Sequence, residues 1–341
     1  MRGRVFLGFV APSLVLMFIF IALPLVSVAW QSFHATQGVF EDVLVETCTP
    51  GFLTQTCVKA VQSRPVMQAG VAVTQTSFAG WDNYRQMLQP DAVAEAFSPT
   101  GHGMSALLNI DFYNALRFTL TFTLITLPLI VGLGLLLALA VDDIARGLRG
   151  PVIFVTLLPY IITPVIGALS IRWLFVGDGV LTDAIRWLTG HDVSMFAQGW
   201  TIELMMLFYR IWHIAPFAFV VFYAGLQTVN KDTIEASVID GATRMERLRY
   251  VIIPHLMPLI VFVTMIHLMD SYRVFDEIVG FAAHAYRISL QWLTYSLLTP
   301  DQTGNRAIAR ASASAMLTMV GIVVLLLVPL RRTWRDHRGK S

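Results

Sequence analysis

Phe118–Val141 reads FTLTFTLITLPLIVGLGLLLALAV, 24 residues with no Asp, Glu, Lys or Arg. About 20 apolar residues let a helix cross the hydrocarbon core of a bilayer. A surface helix of this length would carry a charged face, and this one has none. Five further stretches share the character. Val5–His34, Pro151–Ile171, Ile211–Asn230, Tyr250–Met269 and Ala311–Leu330 are each free of Asp, Glu, Lys and Arg. The helix at Ile211–Asn230 is expected to start earlier, near Glu203, and that at Tyr250–Met269 after Pro254. In lipid every backbone group must be paired internally, which leaves helices or closed barrels. Barrel strands alternate polar and apolar residues, and these runs do not. The expected fold class is an all-α integral membrane protein with six transmembrane helices.

Composition agrees. Of 341 residues, 56% are hydrophobic and 13% charged, against about 25% charged in soluble domains. Mean hydropathy is +0.65. A soluble single-core enzyme is excluded. The net charge is only +2 and no charged block suggests a nucleic-acid arm, so no nucleic-acid partner is implied. The first run follows Arg2 and Arg4. It is about twice the usual 7–15 residues of a cleavable signal core and reads as a retained helix. The eight histidines are scattered, with no His-Glu-x-x-His and no Cys-x-x-Cys, so no metal site is expected. Gly339-Lys340-Ser341 resembles the end of a P-loop, but the Gly required five residues earlier is Trp334.

Charge sets the orientation. With the N-terminus inside, segments 1–4, 142–150, 229–253 and 331–341 are cytoplasmic and hold 13 Lys and Arg residues. The outside segments 35–111, 176–201 and 276–310 are far longer and hold seven. The positive-inside rule therefore places both termini in the cytoplasm. The expected organisation is a first helix over 1–34 and an extracytoplasmic loop over 35–111. A five-helix core over 112–330 contains the cytoplasmic loop 229–254, and a basic tail covers 331–341. Trp81, Asp82 and Asn83 read as a turn before a short helix. Cys48 and Cys57 both fall in the outside loop. In an oxidising compartment they can pair, or stand as two free thiols.

The inside loop between spans four and five reads Glu235-Ala236-Ser237-Val238-Ile239-Asp240-Gly241-Ala242 and runs on to Pro254. It is expected to form two short helices around a turn. Asn230 or Asp232 caps the first, and Gly241 supplies the freedom for the bend. Ala242, Met245, Leu248 and Ile252 then recur on one face of a basic helix. Such a helix either lies on anionic lipid or docks in a groove on a partner. Pro254 and Pro258 mark the entry to span five.

This run resembles the EAA motif of membrane subunits of binding-protein-dependent ABC importers. Glu235, Ala236, Asp240, Gly241, Ala242 and Pro254 match at the family spacing. Ser237, Leu248, Val251 and Ile253 replace the third Ala, an aromatic, an Ile and a Leu. Ser271-Tyr272-Arg273-Val274-Phe275-Asp276-Glu277-Ile278 is similar to a Phe-Asp segment of the maltose and glycerol-phosphate type. The Thr-Gly-Gly-Gly-Pro run that often follows is replaced here by Val279-Gly280-Phe281-Ala282-Ala283-His284.

The resemblance implies a type I importer permease fold in a bacterial or archaeal plasma (inner) membrane and a sugar or polyol solute. It implies four kinds of partner: a second, different membrane subunit, two cytoplasmic ATPase subunits, an extracytoplasmic solute-binding protein and membrane lipid. ATP and Mg are then bound by the ATPase. This chain holds no cofactor and is no enzyme. Glu235, Asp240, Arg244 and the neighbouring basic residues contact the ATPase, while Ala236, Gly241 and Ala242 permit close approach.

For the solute path, spacing puts Tyr209, Trp212, His213 and Pro216 on one face of span four, beside Arg210. His267, Asp270 and Arg273 repeat at three-residue steps in span five, with Tyr272 adjacent. Ionisable groups this deep face a cavity or a partner, and Asp270 is expected to pair with Arg273 along the helix. Packing and interfacial anchoring are the other reading of the aromatics. Tyr160 and Trp173 are weaker candidates, and Pro128, Pro159 and Pro164 are candidate bends. The competing function is a self-contained secondary carrier, proton-coupled through Asp270 and His267.

Overall fold

The computed structural model describes residues 3–50, 55–68, 71–99, 103–177, 179–191, 196–300 and 306–338. Arg2 and the Gly339-Lys340-Ser341 tail lie outside them. The chain divides into two units, Met1–Ala92 with Thr294–Leu317, and Val93–Leu293 with Thr318–Ser341.

Among the described residues five helices are long and apolar enough to cross a membrane: α1 (Gly8–Ser32), α2 (Asp111–Asp143), α5 (Gly199–Leu226), α7 (Arg244–Tyr272) and Ile308–Arg331. A sixth crossing is present among them if a bent pair, α3 (Arg146–Ile161) and α4 (Pro164–Phe175), counts as one span. The expected third span is thus not a continuous helix, since its halves meet at 93°. The cause is local. Proline disfavours helical backbone in the residue before it. Ile162 and Thr163, directly ahead of Pro164, are both extended, at φ −71°, ψ 135° and φ −62°, ψ 136°. Pro128 and Pro159 stay inside their helices.

The chain is predominantly helical, as expected, but the first unit also carries strands, so the fold is not purely α. After α1, β1 (His34–Gly38) pairs antiparallel with β6 (Thr74–Phe78). Between them lie the hairpins β2 (Phe40–Pro50) with β3 (Gln55–Pro65) and β4 (Met67–Gln68) with β5 (Val71–Ala72). The three pairs meet at a closed ring of backbone hydrogen bonds. Val39 N donates to Val73 O, Val73 N to Val66 O and Val66 N to Val39 O, at 2.8–2.9 Å. The Thr and Val content of 43–49 and 56–61 suits strands. Cys48 stands opposite Cys57 in the register; their side chains lie outside those described. The expected short helix is present as Asp82–Leu88. It is tied to the end of α1 by Asn83 Nδ2, which donates to Ser32 O at 2.9 Å, and by Tyr84 Oη, which donates to Ser32 Oγ at 2.8 Å.

In the second unit α5 is the central helix. Half of its apolar window is buried within the chain, against 28% for α2 and 22% for α7. Without a hydrophobic drive between helices in lipid, close contact needs small residues. A Cβ at Gly134 of α2 would stand 2.5 Å from Ala218 Cβ of α5. Two buried clusters result. Ile130, Phe219, Phe222, Leu256 and Val263 join α2, α5 and α7. Phe118, Ala168, Met206 and Tyr209 join α2, α4 and α5 to Ile278 of α8 (Asp276–Gly280).

Candidate functional site

The break between α3 and α4 leaves the last carbonyls of α3 without helical partners, which is costly at membrane depth. Side chains of α5 donate to Ile162 O there and add a second bond at Pro164 O in the first turn of α4. His213 Nε2 lies 2.8 Å from Ile162 O. Tyr209 Oη donates to Pro164 O at 2.7 Å. These two residues share a face, as their spacing predicts, but that face holds the break together. Tyr209 is fully buried and does not line the cavity described below. Trp212 sits beside it, with ring centroids 6.2 Å apart, and stays outside the cavity described below.

Directly after Tyr209, α5 carries Arg210, with its side chain only 5% exposed. Its Nη1 donates to Glu277 Oε1 of α8 at 2.8 Å, and its Nη2 to Asp270 Oδ2 near the end of α7. Glu277 is 1% exposed and Asp270 52%. Arg210 Nε and Glu277 Oε2 find no partner among the described residues. The expected Asp270–Arg273 pair is therefore corrected, because Asp270 bonds across to α5. Arg273 has already left the helix, at φ −100°, ψ 30°, which breaks the same-face alignment. Its Nε donates instead to Met269 O at 3.3 Å. Tyr272 packs inward, where a Cβ at Gly321 would stand 2.1 Å from its hydroxyl. Sequence reasoning gave Glu277 no role. Its signal was a second carboxylate beside Asp276 in an otherwise apolar run.

A cavity of about 570 Å³ opens between the break, α5 and α7. Tyr160, Thr163, His213, His267, Asp270 and Arg273 supply its polar lining. Of the six main path candidates it brings together His213, Asp270 and Arg273. Tyr160 joins them, while Trp173 does not. Irregular backbone at membrane depth is tolerated where it lines such a cavity. Among the described residues no group of three or more His, Cys, Asp or Glu is placed to hold a metal.

The loop after α5 opens with Asn230 Oδ1 accepting from Asp232 N at 2.9 Å. This caps α6 (Lys231–Ile239). Glu235 and Ala236 are exposed on it, and Ser237 turns its hydroxyl back to Ile234 O at 2.6 Å. Asp240 ends the helix, exposed, and Gly241 takes φ +80°, which a side chain would strain. Ala242 is half-buried. Thr243 and Glu246 then form a reciprocal capping box, with Glu246 Oε2 accepting from Thr243 N at 2.7 Å.

The helix that starts at Arg244 does not stop short of the fifth span, as was expected. It runs through a wider turn at Leu248–Ile252 into Ile253–Tyr272 as one helix, α7. Pro254 lacks an N–H for the ordinary ladder, and the wider turn accommodates it. Arg244 and Pro254 are exposed. Met245, Leu248 and Ile252 line a second cavity of about 430 Å³ with Leu139 and Leu226. Ile239 is 85% exposed and Met245 70%.

Residues 103–334 match the family described as binding-protein-dependent transport system inner membrane component. The chain is 24% identical over 250 residues to the arabinooligosaccharides transport system permease protein AraP of Halalkalibacterium halodurans, covering 72% of each chain. It is 26% identical over 257 residues to the sn-glycerol-3-phosphate transport system permease protein UgpA of Agrobacterium fabrum, covering 73% of this chain and 85% of that one. Its fold is similar to a chain in a bacterial alginate ABC transporter solved with its alginate-bound periplasmic protein. The TM-score there is 0.67 at 19% identity, covering 98% of this chain and 96% of the other. The chain therefore belongs to the family of binding-protein-dependent transport system inner membrane components, and is a multi-pass permease subunit of the ABC-importer kind.

Proposed function

We propose that this chain forms part of the translocation path for a sugar or polyol in an ATP-driven importer, and that the loop 229–254 couples it to a cytoplasmic ATPase. The observation that carries this reading is the exposed α6–Gly241–α7 corner between the fourth and fifth spans. Its capped helix presents Glu235, Asp240 and Arg244 beside the bare apolar side chains Val238 and Ile239. A corner rigidly continuous with α7 transmits a push from the ATPase directly to Asp270 and to the cavity wall. The basic residues around it favour the cytoplasmic side, with both termini. The names of the relatives support a sugar or polyol solute. The likeness to the maltose type supports pairing with a different membrane subunit and delivery by an external binding protein. ATP and Mg belong to the ATPase on this reading, and this chain contributes no catalysis.

The test is copurification of the tagged chain from its native membrane, with partners identified by mass spectrometry. An ATPase and a second membrane subunit are expected. Glu235→Lys and Gly241→Pro should each release the ATPase while membrane insertion stays intact. Normal ATPase recovery in both variants would sink the coupling assignment. Recovery of the wild-type chain alone would favour a self-contained carrier.

A further inference from the structure

The second cavity, of about 430 Å³, lies where α2 ends and α7 begins. Part of its lining is apolar, from Leu139, Leu226, Leu248 and Ile252. The rest is charged. Asp142 and Asp143 come from the last turn of α2, and Arg244 and Arg247 from the first turns of α7. The charge-free run of α2 stops at Val141, and that of α7 begins at Tyr250. The cavity therefore straddles the level where hydrocarbon gives way to lipid headgroups.

The acids and the arginines share this space without closing on each other. Asp142 is held by other helices. Its Oδ1 accepts from Gln227 Nε2 at 3.1 Å, and Arg149 Nη2 of α3 lies 3.8 Å from the same oxygen. The side chains of Asp143, Arg244 and Arg247 enter no ion pair and no hydrogen bond among the described residues. Glu246, the acid between the two arginines, is taken by the Thr243 cap. Opposite charges that face each other across water attract only weakly. A ligand bearing one charge of each sign engages both sides, its anion at the arginines and its cation at the acids.

Three features narrow that ligand. The apolar lining suits a hydrocarbon tail. The guanidinium forks match a phosphate. The carboxylates only accept hydrogen bonds, so the cation needs N–H groups to give. A purely anionic lipid would set its charge against Asp142 and Asp143, and a quaternary ammonium has no N–H. A phospholipid with a primary amine in its headgroup meets all three.

We propose that the cavity between the end of α2 and the start of α7 binds the headgroup of an amine-bearing zwitterionic phospholipid. Its phosphate meets Arg244 and Arg247, and its ammonium meets Asp143 beside Asp142. This site shares no residue with the cavity at the α3–α4 break and does not depend on which solute is carried.

The test uses the complete complex, purified with its partners. It is placed in nanodiscs of phosphatidylethanolamine, phosphatidylcholine and phosphatidylglycerol in equal parts, then extracted in mild detergent. Native mass spectrometry counts the lipids that stay bound. Phosphatidylethanolamine should be retained above the other two. Arg247→Gln and Asp143→Asn should each lower its retention about two- to fivefold, the worth of a solvent-accessible charge pair. Asp143→Asn should also raise the share of phosphatidylglycerol, because it removes a charge that opposes that lipid. Arg244 is left intact, since it also stands on the corner offered to the ATPase. Arg146→Gln, at a basic residue outside the cavity, should change nothing. A photoactivatable phosphatidylethanolamine should label 139–143 and 244–252. Retention of the three lipids in equal parts, or of phosphatidylglycerol above the rest, would overturn the proposal. So would equal losses in Arg247→Gln and Arg146→Gln. Labelling of the two segments only after the ATPase is stripped away would mean that the ATPase fills the cavity, and would overturn it too. The headgroup preference and the labelled segments are read on the parent complex, so they decide the matter even if a charge variant does not assemble.

Discussion

Arg210→Met is the sharpest perturbation of this fold. It removes the only cation bonded to Glu277 among the described residues, and Glu277 is 1% exposed. A buried charge stripped of its partner costs about 3–5 kcal/mol. Asp270 loses the same partner but is 52% exposed, so its share is about 0–1 kcal/mol. Glu277→Leu should cost less than Arg210→Met, about 1.5–3 kcal/mol for a charged hydrogen bond, because Arg210 keeps Asp270. The double variant replaces a buried ion pair with apolar side chains, which is close to neutral, and should sit within about 1 kcal/mol of the parent. The assay is equilibrium unfolding in mixed micelles, titrating SDS into non-ionic detergent and following tryptophan fluorescence. The reasoning would be refuted by an Arg210→Met variant within about 0.5 kcal/mol of the parent, the range of an ordinary surface change. A double variant that costs the sum of the singles would refute it equally, since the penalty is assigned to the unpaired charge.

Gly134→Ala should cost about 1–3 kcal/mol in the same titration, because the new methyl meets backbone as well as Ala218 Cβ. Gly132→Ala, with nothing within 4 Å, should stay within about 0.5 kcal/mol, and equal effects at the two sites would remove the close-contact argument. Tyr209→Phe removes the hydroxyl's bond to Pro164 O, which keeps its helical donor within α4, and should cost about 0.5–1.5 kcal/mol. An unchanged midpoint there would mean that the break needs no latch.

The spans and the corner at 229–254 were legible because their signals are local. Charge-free length, a capping Asn230, a Gly241 at the bend and the basic bias of short loops are each read within one segment. The strands after α1 were also locally encoded, in the Thr- and Val-rich runs around Cys48 and Cys57, but the chain's overall hydropathy drew the reading towards helix alone. Helical spacing put Tyr209 and His213 on one face correctly, yet could not say what that face meets. Its partners are the carbonyls of Pro164 and Ile162, 45 and 51 residues away. Arg273 shows the same limit from the other side. Three-residue spacing suggests a bond to Asp270, but the helix ends first and Arg210 arrives from 60 residues off.

Which class of protein this is, which stretches cross the membrane and where the chain turns all follow from single-residue transfer energies and local backbone preferences, and these add up along a segment whatever it packs against. Which polar side chains seal the break, which acid Arg210 holds and which atoms face the cavity depend on helices far apart in the chain coming together. In lipid that choice is made by steric fit at residues such as Gly134 and by the need to pair each buried polar group, and neither is written in any one segment.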